Sequence, residues 1–176
     1  MSQDNEQSPE EEPVDEGSKR LEFADAVELA TTKEHLWSLI SDPETLTECV
    51  PGAESIERVS ERKYELDITR GVASMSLSLT GEAEFVEMNP PDYIVTTGYA
   101  FGSKTGSEFD ILAAMEMEEL DAETVELTYR AEVEYSGGVA TIPKRVIKPI
   151  VKRDVDTYFD NVRTLVESET SQSPEA

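Results

Sequence analysis

The sequence predicts an α+β domain in which a curved antiparallel sheet of about seven strands is covered by a long C-terminal helix. Three observations predict it. Apolar residues alternate with a period of two through most of residues 21–135. Short turn signals break that alternation into successive strands, which makes an antiparallel meander. After Gly137-Gly138 the period becomes helical, and the terminal helix must cover the apolar face of the sheet.

Leu21, Phe23, Val27 and Leu29 share one parity, with Glu22 and Glu28 on the other, so the first strand is half-buried. Thr31 and Glu34 have the spacing of a capping box for a short helix containing Leu36, Trp37 and Ile40. Asp42-Pro43 stops it, and Glu44 to Cys49 forms a second short helix closed by Pro51-Gly52. Strands follow from Ile56 to Val59 and from Tyr64 to Ile68. A long one from Val72 to Glu87 carries Gly81, a signal for a bulge or bend. Asn89-Pro90-Pro91-Asp92 turns into a strand from Tyr93 to Phe101, Phe109 to Met117 marks the next, and Val125 to Tyr135 alternates most regularly. From Val139 to Ser168, Ile147, Val151, Val155, Tyr158, Val162 and Leu165 form one helical stripe. Val139, Ile142, Val146 and Ile150 widen it at the start. Pro143 and Pro149 interrupt this helix, and Pro149 should kink or divide it. Residues 1–19 and 169–176 are polar, mostly acidic tails that read as disordered, leaving a domain over 20–168.

The chain of 176 residues holds 39 acidic and 15 basic side chains, a formal charge of −24. Seven acids and two bases precede residue 21, so most of the surplus lies on the folded part. Such a surface repels phosphates, which excludes nucleic acid as a partner and opposes adsorption to anionic lipid. It reads as the solvated surface of a halophile's protein, with a docking surface for a basic partner as the alternative. A lone cysteine, Cys49, excludes an internal disulfide, and a lone histidine, His35, excludes the common multi-histidine metal sites. No run of 18 apolar residues exists, and the first twenty residues lack the pattern of a secretory signal. The expected compartment is the cytoplasm, with at most peripheral contact at the inner face of the membrane.

No catalytic constellation and no metal site is legible. The notable set is apolar and reads as inward-facing: Phe23, Met75, Leu77, Phe85, Tyr99 and Phe101, then Phe109, Met115, Tyr129, Val133 and Tyr135. Trp37 on the first helix and Ile142, Val146 and Ile150 on the last complete it. Residues of this kind ordinarily fill a core. A strongly curved sheet closed by one helix also leaves room for an apolar guest, oriented by hydroxyls such as those of Tyr99, Tyr129 and Tyr135. Cys49 reads as a buried inert thiol and His35 as a surface residue. Gly102-Ser103-Lys104-Thr105-Gly106 lacks the spacing of a phosphate loop and reads as a hairpin loop placed to gate a cavity.

Five of the fifteen bases, Lys144, Arg145, Lys148, Lys152 and Arg153, fall within ten positions of the last helix. Lys144, Lys148 and Lys152 step by four and form a ridge. Lys144, Arg145, Lys148 and Lys152 read either as partners of sheet carboxylates or as a patch docking an acidic partner or lipid headgroups. An enzyme would need an acid or base facing the cavity. Asp25, Asp110 and Arg130 are the candidates, Asp25 first because it shares the parity of Phe23 and Val27.

The run Trp37-x4-Asp42-Pro43-x2-Leu46-x2-Cys49-Val50-Pro51-Gly52-x3-Ile56 resembles the CoxG family of carbon monoxide dehydrogenase proteins. That family belongs to the START-like, polyketide cyclase/lipid-transport (SRPBCC) superfamily. The Gly71 to Gly81 strand pair, Asn89-Pro90-Pro91, and Gly137-Gly138 before the long helix fit as well, so the resemblance spans roughly residues 21–167. It implies a helix-grip (START/Bet v 1-like) fold and a non-enzymatic accessory protein of molybdenum hydroxylases such as carbon monoxide dehydrogenase. The implied tasks are assembly, membrane recruitment or electron delivery to quinone. The implied partners are an apolar small molecule (quinone, isoprenoid or lipid) and the hydroxylase itself, with no covalently bound cofactor. A cyclase- or dehydratase-like enzyme and a pure protein adaptor are the alternatives.

Overall fold

The computed structural model describes residues 18–72 and 74–172, with side chains as far as residue 168. The alternating segments form β1 (Lys19–Leu29), β2 (Ala53–Arg58), β3 (Lys63–Val72), β4 (Met75–Asn89), β5 (Tyr93–Gly102), β6 (Ser107–Asp121) and β7 (Thr124–Ser136). The helical segments form α1 (Lys33–Ile40) and α2 (Pro43–Cys49) between β1 and β2, and α3 (Lys144–Gln172) at the end. A 3₁₀ turn over Gly137–Thr141 links β7 to α3. The strands make one antiparallel curved sheet in the order β1-β7-β6-β5-β4-β3-β2, the helix-grip arrangement expected from the sequence.

Register puts Phe23 opposite Ala131, Val133 opposite Ile111, and Phe109 opposite both Tyr135 and Ala100. The face these residues share is the inner one, and α3 lies against it: Leu77, Leu127, Val133 and Tyr135 are buried in one cluster with Ile147, Phe159, Val162 and Val166. The outer face keeps the other parity, with Glu82, Glu84, Asp110 and Glu134 exposed. A smaller cluster of Tyr64, Phe85 and Ile94 lies towards α1, and Trp37 and Met115 pack against both clusters.

Gly81 has the structural reason its sequence position suggested. A Cβ there would lie 1.9 Å from the Tyr99 carbonyl oxygen, so only glycine lets β4 and β5 approach this closely. The register shift in β4 itself falls between Phe85 and Glu87.

Several boundaries differ from the sequence reading. The expected strand from Val72 to Glu87 is the end of one hairpin arm and all of the next, with Val72 paired to Met75 across a tight turn; Ala73 lies outside the described residues. The cap of α1 is Thr32, whose Oγ1 accepts from the His35 amide at 3.1 Å, while Thr31 is buried. Asp42 caps α2 by accepting from the Thr45 amide at 3.0 Å, and Pro43 takes the first helical position, where no amide hydrogen is needed. Pro143 starts α3 rather than interrupting it, because its carbonyl accepts from the Val146 and Ile147 amides. Pro149 does lie inside α3, yet the helix is not divided there and continues to Gln172, past the expected boundary at Ser168. The acidic tails expected at 1–19 and 169–176 fall, apart from residues 18–19 and 169–172, outside the described residues.

Candidate ligand seat between the inner sheet face and the C-terminal helix

The inner face is sealed at its ends and open in its middle. Leu21, Tyr135, Val139 and Ile142 close one end, and Tyr64, Phe85 and Ile94 the other. Between them the inward positions hold small residues, Thr96, Gly98, Ala113 and Ala131, none of which is fully buried. Small side chains on a curved sheet cannot reach the helix. Ile111 on the inner parity of β6 therefore remains 36% exposed, and Val146 on α3 37%. Met75, Phe109, Met115 and Ile150 are half-buried at the margins of the same strip.

Of the residues expected to line a cavity, Phe23, Leu77, Phe85, Tyr129, Val133, Tyr135 and Ile142 are buried on the inner side. Trp37, Met75, Phe109, Met115 and Ile150 are half-buried, and Val146 is exposed. Tyr99 and Phe101 are corrections: they stand on the outer face, 42% and 38% exposed. Both parities of β5 carry apolar residues, so alternation alone does not choose between them. Space does. The inner positions of β5 hold Gly98, Ala100 and Gly102, and a Cβ on Gly102 would already lie 3.0 Å from Leu79 Cδ2. Large aromatics therefore fall on the open side.

Polar groups inside this region are few. The Tyr135 side chain is 1% exposed and its hydroxyl has no hydrogen-bond partner among the described residues. Burial raises the pKa of that phenol above the ordinary tyrosine range. Tyr129 stacks on Phe159 with ring centroids 5.0 Å apart. Its phenol is also raised, by burial first, with Lys152 opposing and Asp25 and Asp156 adding. The Cys49 thiol is 1% exposed and pushed up to about 11, by burial first and then by Glu48, consistent with an inert core thiol.

The charged candidates lie elsewhere. Asp25 has the inner parity but sits on edge strand β1, its side chain 57% exposed and 3.8 Å from Lys152. Asp110 and Arg130 are exposed on the outer face. Lys152 leaves the expected docking patch, because its ammonium is 2.8 Å from Asp156 on the next turn. Lys144, Arg145 and Lys148 are exposed, and no carboxylate pairs with them among the described residues. Lys148 sits 5.9 Å from the centre of the Phe23 ring. The described residues contain no cluster of three metal-ligating side chains.

Two features were not read from the sequence. Arg70, on the inner parity of β3, reaches Asp154 of α3 with two hydrogen bonds. A base among Tyr64, Ile68 and Val72 on one strand face was the available signal for such a partner. Ser107 is fully buried, accepts from the Val139 amide at 2.9 Å and lies 2.6 Å from Thr105 Oγ1. The Gly138 amide donates to the Thr105 carbonyl at 3.0 Å, so the β5–β6 hairpin loop is fastened to the turn that precedes α3. Gly137 and Gly138 allow that approach: a Cβ on either would lie within 2.6 Å of a loop carbonyl oxygen.

The family model for the carbon monoxide dehydrogenase protein CoxG matches residues 26–167, which is the sheet and nearly all of α3. The chain belongs to the CoxG family. Solved structures agree on the CoxG member's fold. A conserved protein from Geobacillus kaustophilus superposes with a TM-score of 0.79 at 24% identity, covering 85% of this chain and 97% of its own. A START superfamily protein from Mycobacterium smegmatis gives 0.64 at 14% identity, covering 84% and 97%. The Zhui aromatase/cyclase from Streptomyces sp. R1128 gives 0.63 at 15%, covering 86% and 96%. At these identities the likeness is one of fold. No curated protein matches the sequence. No described helix is long and apolar enough to cross a membrane.

Proposed function

We propose that this CoxG-family chain is an accessory binding protein without catalysis of its own. It holds a quinone, isoprenoid or lipid tail between the inner sheet face and α3, and serves a molybdenum hydroxylase such as carbon monoxide dehydrogenase. The observation that carries the reading is the strip of incompletely buried apolar residues, Ile111, Val146, Phe109, Met115 and Ile150, facing one another across the grip. An apolar chain placed there gains about 25 cal/mol for each Å² removed from water. Family membership supports the accessory role. The unpaired Lys144, Arg145 and Lys148 beside exposed Val146 supply a docking patch for an acidic surface of the partner.

Native mass spectrometry of gently purified protein tests the seat. The expected spectrum carries one apolar guest, either co-purified or retained after addition of decylubiquinone. Protein that remains bare in both cases contradicts a carrier role. The cyclase-like alternative has weaker support, since Asp25, its best candidate acid, is solvent-exposed and beside Lys152.

A further inference from the structure

The seat proposed above is apolar almost throughout, which makes its one orphaned polar atom informative. Buried hydroxyls find partners in folded proteins, because leaving one unsatisfied costs roughly 1–3 kcal/mol. Among the described residues the Tyr135 hydroxyl is the buried side-chain atom that has none. Its surroundings explain why. Across β1 it faces Lys19, whose ammonium points away to the Ile142 carbonyl at 3.4 Å. Across β6 it faces Phe109, whose ring lies nearly parallel to its own at 6.4 Å and offers no hydrogen-bonding group. The nearby hydroxyl of Ser107 is already occupied by the Val139 amide and Thr105.

Tyr135 also sits where the open strip ends. Phe109, half-buried, continues the inner face from Ile111 towards it, and Ile142 precedes exposed Val146 at the start of α3. The segment over it is a 3₁₀ turn followed by a helix start, a short lid rather than a regular element.

We propose that the Tyr135 hydroxyl is the polar anchor of the seat, donating its hydrogen to a carbonyl or ether oxygen at the head of an apolar guest. The inference rests on the ligand-holding reading and narrows it to a class: molecules with an apolar chain and a hydrogen-bond acceptor at one end. The phenol stays protonated across the physiological pH range because burial disfavours its anion.

The test compares the full chain with Tyr135→Phe, using decylubiquinone and decylbenzene delivered from cyclodextrin as matched probes with and without carbonyls. The variant is expected to bind decylubiquinone about tenfold more weakly, as loss of one hydrogen bond to a buried acceptor implies. Its affinity for decylbenzene should not change. The Tm of the unliganded variant should hold or rise, since an unsatisfied buried group has been removed. Equal affinities of both proteins for decylubiquinone overturn the anchor. A lower Tm with unaltered binding also overturns it, and points to an internal water as the hydroxyl's partner. If neither probe binds the wild-type chain, the seat itself fails and the anchor with it. A second measurement does not depend on the variant: infrared spectra of decylubiquinone bound to the wild type should show a carbonyl stretch at lower frequency than in hexane, and an unshifted band contradicts the anchor.

Discussion

Arg70 on β3 and Asp154 on α3 are joined by two hydrogen bonds across the inner face, Nε donating to Oδ2 at 2.9 Å and Nη2 to the other carboxylate oxygen. Two-pronged guanidinium–carboxylate pairs fix orientation as well as distance. This one ties the far side of the sheet to the middle of the helix that closes it, on the opposite flank from β1.

With side chains 33% and 25% exposed, the pair is partly screened and should contribute about 1 kcal/mol rather than the value of a dry ion pair. A double-mutant cycle of Arg70→Ala and Asp154→Ala, measured by urea denaturation, should give a coupling of that size that shrinks in high salt. Each single variant should also release a bound apolar guest faster, because one flank of the grip is freed. A coupling near zero at low salt would show that the contact does not hold the helix.

Pro149 lies in the early part of α3 and has no amide hydrogen to give the Arg145 carbonyl. Pro149→Ala should restore that bond and raise stability by about 1–3 kcal/mol. The segment from Val139 to Ile150 borders the seat, and its motion is the simplest route for a guest to enter. The same variant should then exchange decylubiquinone more slowly in stopped-flow displacement. Unchanged exchange rates would remove the gating role.

Gly81→Ala should cost about 2–4 kcal/mol, because the new methyl meets the Tyr99 carbonyl oxygen and the backbone must move. Thermal unfolding reads the loss directly. A near-neutral result would mean that the strands can separate there without penalty.

Cys49 gives the fold a pH dependence at the alkaline end. Its thiol is held up at about 11 in the native state against 9.0 for the unperturbed group. Between those values the unfolded chain ionises Cys49 and the native chain does not, so the unfolded state binds fewer protons. Native stability from this group is complete below pH 9 and lost progressively towards pH 11, by up to about 2–3 kcal/mol. Cys49→Ala should flatten the stability profile in that window relative to the wild type. Parallel profiles would show that the thiol does not contribute.

Much of the fold was legible because the chain alternates so regularly. Val125 to Tyr135 and the stripe from Ile147 to Leu165 each declare their element type and their buried side without help from their neighbours. The hairpin at Val72 was missed because apolar alternation runs straight through the turn. Tyr99 and Phe101 were assigned to the wrong face for a different reason. Which parity of β5 points inward is set by the close approach of β4 at Gly81 and the crowding at Gly102, a tertiary constraint that residue hydrophobicity does not encode. The Arg70–Asp154 pair joins residues 84 positions apart, beyond the reach of any local pattern.

The central claim is that an apolar guest sits on the inner face and not in the grooves of the outer one. Those outer grooves are lined by residues such as Leu112, Arg130 and Glu132, and by Tyr99 with Glu82. Methyl-resolved NMR during titration with decylubiquinone separates the two. The account expects shifts at the methyls of Ile111, Met115, Val146 and Ile150, with exposed Leu112 and Leu120 unaffected. Shifts confined to Leu112 and Leu120, or no methyl shift at a saturating concentration, would contradict it.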